Sequence, residues 1–167
     1  MKYLTKHIGP FPLGIWIVLF FVIITGGLFI LFGQALSFFA WDVAHSLGFQ
    51  EYSTKSSDLV ERTIAGMSWG EACADTFVQG TLVILTLIGI LRRRRFGFTT
   101  GISLAILWIY YTFLVPISRI GLYNWGVASD LSQAKLMGLV FILLCGIPGV
   151  ILPICLVANR QFFETDE

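Results

Sequence analysis

The chain has 167 residues, 56% of them hydrophobic and 13% charged, with a formal net charge of +1 and a mean hydropathy of +0.83. Soluble domains carry roughly 25% charged residues, so this composition describes an integral membrane protein in contact with the lipid bilayer. It leaves no basic surplus for a nucleic-acid partner, and the length points to a single membrane domain, residues 1–167, with no separate soluble one.

A run of about 20 apolar residues is enough to cross a bilayer. The first such run, Leu13 to Phe39, follows Lys2 and Lys6. A basic start before an apolar run also describes a signal peptide, with Gly33-Gln34-Ala35 as a small-x-small cleavage site. Signal cores run about 7 to 15 residues. Leu13 to Phe32 is already a full span, so a retained first helix is expected.

An outer loop, residues 40–71, follows. In "SSDLVERTIAGM" Asp58 is placed to cap a short helix, with Glu61 three residues on. Leu59, Val60 and Ile64 give that helix an apolar face, and Gly66 ends it, so it should lie on the outer surface. "WDVAHSLGF" sets His45 beside Asp42, while His7 belongs across the membrane. One histidine with one acid does not make a metal site, and no metal or other cofactor is expected.

The second span is Ala72 to Leu91, and "SWGE" before it has the capping-box form, Ser68 capping and Glu71 reaching back. The Glu71 charge would then sit at the positive end of the helix dipole. "RRRRFG" makes a tight turn, residues 92–96, and Arg92, Arg93, Arg94 and Arg95 put it on the cytoplasmic side. The same four arginines suit anionic lipid headgroups. The third span is Gly97 to Pro116, where Gly97, Gly101 and Ala105 form a stripe of small residues for close packing. A second outer loop, residues 117–135, carries the interfacial aromatics Tyr123 and Trp125, and Asp130 with Gln133 caps the last span. That span, Leu136 to Val157, contains Pro148 and Pro153 and should bend. By alternation both termini, with Lys2, Lys6 and Arg160, fall inside. The expected fold is all-α: a polytopic membrane protein of four transmembrane helices in two antiparallel hairpins, N-in and C-in. Cys73, Cys145 and Cys155 form no CxxC, which gives no support for a thiol-disulfide enzyme.

Asp75 is the residue this plan leaves unexplained. Counting back about 20 residues from Arg92 puts Glu71 at the interface and Asp75 about 5 Å inside the hydrocarbon. An ionisable group there is costly and is by default a functional-site hypothesis. Gln79 follows one turn down the same face. Residues equally far from the arginine turn should share a depth, which groups Glu71, Asp75 and Gln79 with Tyr111 and Arg119 in one polar cluster near the outer surface. The cluster is equally suited to holding two helices together, since each polar contact contributes around 1 kcal/mol.

The segments "ADTFVQG", "GILRRRRFG" and "LWIYY" together resemble a pattern found in small prokaryotic four-helix integral membrane proteins. The resemblance covers residues 66–118. It implies the four-helix architecture and a prokaryotic inner membrane, and it supplies no activity and no catalytic residues. Neither a nucleophile with its base nor a phosphate loop is recognisable. The functional expectation is therefore a noncatalytic accessory or interaction subunit, contacting a membrane-protein partner or another copy of itself. The alternative is a small-molecule or lipid site near the outer face, an enzyme or a binder of an amphiphilic ligand, with Asp75 at its centre and Tyr111 as an aromatic wall. Ion or solute transport has less support, because the polar residues stop near Gln79.

Overall fold

A computed structural model describes residues 3–127 and 131–164. Lys2, and the cap expected from Asp130, lie outside the described residues. The chain is helical, and four helices are long and apolar enough to cross a membrane. They are α1 (Leu13–Phe39), α3 (Leu59–Leu91), α4 (Arg95–Asn124) and α5, whose apolar stretch is Lys135–Ala158. A short α2 (Trp41–Ser46) follows α1. Strands β1 (His7–Ile8) and β2 (Phe11–Pro12) form a small antiparallel ladder, Ile8 opposite Phe11, ahead of α1. A 3₁₀ turn, Arg160–Phe163, ends the described chain.

The start of α3 differs from the sequence expectation. It runs from Leu59 without a break, so the surface helix and the second span are one helix of 33 residues. Its cap is Asp58, whose Oδ1 accepts from the Val60 N–H at 2.8 Å. Ser68 and Glu71 lie in its interior. Only the first four N–H groups of a helix need a cap, so the "SWGE" motif has no free donors to serve and is no helix start. Gly66 does not stop the helix either, because a glycine stop needs a positive φ and Gly66 has none. Gly126, with φ +71, does end α4 in that way: its N–H meets Tyr123 O and the next N–H meets Leu122 O. We expect Asp58→Ala to destabilise the protein by about 1 kcal/mol and Ser68→Ala to leave thermal unfolding in detergent nearly unchanged. Equal losses for the two would restore a cap at Ser68.

At 1.5 Å per residue α3 is about 50 Å long and exceeds a hydrocarbon core of about 30 Å. It is therefore long enough to cross such a core with its polar first turns, which carry Glu61 and Arg62, left outside it. Helix α4 likewise continues past Pro116 to Asn124. A proline inside a helix removes one backbone hydrogen bond, a loss that membrane helices tolerate when a neighbour packs on it. Here Gly138 of α5 faces the Pro116 ring.

Two compact units divide the chain, Met1–Val22 with Leu85–Glu167, and Ile23–Ile84. In the first, α4 and α5 meet at small residues. Gly149 lies against Ala105 O and Ile109, Gly146 against Thr112, and Gly101 against Leu156. Where α3 turns into α4, the backbones of Gly89 and Gly97 touch, and Thr86 Oγ1 donates to Thr100 Oγ1 at 3.0 Å. The small stripe of Gly97, Gly101 and Ala105 is buried and works as a packing face. In α5 the turn Ile142–Gly146 is π-helical, the Ile147 N–H reaching back five residues to Ile142 O. Pro148 has no N–H and its ring crowds the carbonyl four residues back, which favours the widened turn there.

In the second unit, the later half of α1 packs with α3. Gly80 leaves room for Leu31, and Phe38 stacks near Trp69 and Phe77 at ring separations of 5.2 and 5.7 Å. The Trp69 Nε1–H donates to Phe38 O at 3.0 Å. Residues Val22–Phe32 of α1 are π-helical, and Thr25 within them is buried.

Candidate intramembrane polar site

Asp75 and Gln79 are the first and last residues of a second π-turn, Asp75–Gln79, inside α3. The Gly80 N–H reaches Asp75 O five residues back. A turn this wide brings residue 79 almost over residue 75, and the Gln79 Nε2–H donates to Asp75 Oδ1 at 2.7 Å. The pair is buried, 8% and 3% exposed. The turn packs on the Gly33–Phe39 part of α1, and glycine at position 80 permits that approach, because a Cβ there would press on Leu31.

The amide orientation follows from its neighbour. Turned round, Oε1 would face the carboxylate oxygen, acceptor against acceptor. With Nε2 on Asp75, the Gln79 Oε1 is buried and meets no donor among the described residues. An unsatisfied buried acceptor costs roughly 1–3 kcal/mol. Other polar groups of this unit are used: Thr76 Oγ1 donates to Ala72 O, Ser37 Oγ donates to Gly33 O, and Gln50 Nε2 donates to Ser37 Oγ. The π-turn and the orphan acceptor were not visible in the sequence, because an aspartate and a glutamine four residues apart look the same on an ordinary α-turn.

Of the residues grouped by depth, Asp75 and Gln79 are brought together. Glu71 lies about one turn earlier on α3 and is exposed. Tyr111 and Arg119 are carried by α4 in the other unit and are half-buried there, with the Tyr111 ring 5.7 Å from Tyr110. His45 is exposed at the end of α2, and its neighbour Asp42 pairs with Lys55. Among the described residues no group of three or more His, Cys, Asp or Glu is placed to hold a metal ion.

The four arginines have separate environments. Arg92 and Arg94 are exposed, and Arg95 is the first residue of α4. Arg93 adopts a left-handed backbone, φ 53. Its guanidinium donates to Pro10 O at 3.2 Å and covers the Phe162 ring at 5.3 Å. In the same unit the Trp108 Nε1–H is fully buried with no acceptor among the described residues. No family model matches the chain, and no curated protein or solved structure matches it.

Proposed function

We propose that this is a noncatalytic multi-pass membrane protein that recognises an amphiphilic small molecule through one hydrogen-bond donor, a hydroxyl or a protonated amine, at Asp75 and Gln79. The observation that carries this reading is the buried Gln79 Oε1, an acceptor held beside a carboxylate with no donor of its own among the described residues. Both groups present acceptor oxygens, so the matching ligand brings hydrogens.

The proposed setting is a prokaryotic inner membrane with four helices in two antiparallel hairpins and both termini in the cytoplasm. The charge rule supports this orientation, since Lys6, Arg92 to Arg95 and Arg160 then share one side. Contacts support the pairing: from Leu31 to Phe38 the partner positions fall from Gly80 to Trp69. From Gly138 to Leu156 they fall from Pro116 to Gly101.

Purification from native membranes in mild detergent, followed by extraction and mass spectrometry of retained small molecules, tests the proposal. The wild-type protein should carry an amine- or hydroxyl-bearing amphiphile that Asp75→Asn and Gln79→Leu both lose, with Asp75→Asn unfolding at the wild-type temperature. Identical small-molecule profiles in all three would overturn it. A copurifying protein partner, with no retained molecule that depends on Asp75, would return the accessory-subunit reading.

A further inference from the structure

The basic end of the first unit holds an open groove of about 420 Å³, lined by Arg95, Phe98, Thr99, Arg160, Phe163 and Glu164. Its floor is aromatic: Phe98 and Phe163 meet edge to face at 5.9 Å, and Phe163 is buried. Its rim is polar, with the two exposed arginines on opposite helix ends. Arg95 is the first residue of α4, and Arg160 lies two residues past the last residue of α5, Ala158. Both guanidiniums therefore stand where an apolar span ends, the level at which lipid phosphates lie.

We infer that this groove binds the phosphate of an anionic glycerophospholipid, with the first acyl methylenes lying on Phe98, which the buried Phe163 backs. Arginine presents a planar fork of donors that fits a phosphate in bidentate fashion. Thr99 Oγ1 donates to Arg95 O at 3.4 Å, so the phosphate's donors are the two arginines, and Phe98 offers surface to a chain rather than to a free ion. The volume falls within the range usual for small-ligand pockets.

Glu164 makes the site more specific than a basic patch. Its Oε1 accepts from the Arg160 Nε–H at 3.0 Å, so the protein's own carboxylate occupies a donor that a phosphate would use. Both partners are substantially exposed, 71% and 41%, and such a pair contributes at most about 1 kcal/mol. A lipid phosphate therefore displaces Glu164 from Arg160 with little loss. The Glu164 carboxylate is a built-in competitor, and its removal strengthens lipid binding. This inference uses the two helix ends as membrane boundaries and does not depend on the Asp75 site.

The test is native mass spectrometry of the full chain taken from nanodiscs of phosphatidylcholine containing phosphatidylglycerol. Wild-type protein should retain phosphatidylglycerol over phosphatidylcholine. Arg160→Gln and Arg95→Gln should each reduce that preference about tenfold, the lower end of the loss expected for one hydrogen bond to a charged group. Arg160→Lys, which keeps the charge and loses the fork, should fall between, and Glu164→Gln should raise retention. Arg92→Gln, in the same basic turn but outside the groove, should lower the preference far less than Arg160→Gln or Arg95→Gln. Equal retention of the two lipids by the wild type, an equal drop with Arg92→Gln, or no gain with Glu164→Gln would each overturn the inference. Displacement of the lipid by millimolar inorganic phosphate would overturn the lipid assignment in favour of a free-anion site.

Discussion

Gly97→Ala should lower stability by about 3 kcal/mol, the upper part of the usual range for overpacking. Gly89→Ala should do the same. At each position a methyl group would fall on the backbone of the other glycine, and for Gly89 the edge of the Phe96 ring closes the remaining space. A flexible side chain yields to a clash, whereas two helix backbones yield only by separating. Separation would also pull apart the buried Thr86 and Thr100 hydroxyls. Glycines of α3 make the comparison sharp, because Gly66 and Gly70 face open space. There the added methyl meets nothing and only the helix preference counts, so Gly66→Ala and Gly70→Ala should each stabilise by roughly 0.5–1 kcal/mol. Thermal unfolding in a fixed detergent measures all four. A stable Gly97→Ala variant would mean that the turn between α3 and α4 is looser than described.

The second large effect concerns Asp75 and Gln79. Asp75→Leu removes the acceptor of the Gln79 Nε2–H and leaves that amide buried with neither end satisfied, which should destabilise by about 3 kcal/mol. Gln79→Leu instead removes the orphan oxygen together with the bond, so its expected loss is smaller, about 1 kcal/mol. Replacing both by leucine leaves no stranded amide. The double variant should therefore be more stable than Asp75→Leu alone, with a coupling of about 1.5–2 kcal/mol. Simple addition of the two single losses would show that the pair is not a unit.

Hydropathy revealed the spans because bilayer crossing is a bulk property of about 20 residues. The bounds of α1 matched residue for residue, and α5 ended within one residue of the expected Val157. Helix starts were less legible. Residues 59–71 include Glu61, Arg62 and Glu71, which end an apolar window but do not interrupt backbone hydrogen bonding. Sequence therefore divided one helix into two and gave its cap to Ser68, although the competing signal at Asp58 had also been visible. Asp75 and Gln79 were legible as an unexplained polar pair on one face. The widened turn that carries them is a backbone feature, and the acceptor left without a donor depends on which way the amide points. Neither has a residue signature.

Arg93 has a consequence for the order of events during synthesis. A glycine would hold its left-handed backbone at lower conformational cost, so the arginine side chain is what this position adds. That side chain joins Pro10 ahead of the first span, the turn before α4, and Phe162 after the last span, while Phe11 also stacks on Phe162 at 5.6 Å. Pro10 and Arg93 leave the ribosome long before Phe162 exists. The basic end of the first unit can be completed only after Phe162 has been made, so these contacts form later than those that Pro10 and Arg93 make with the segments between them.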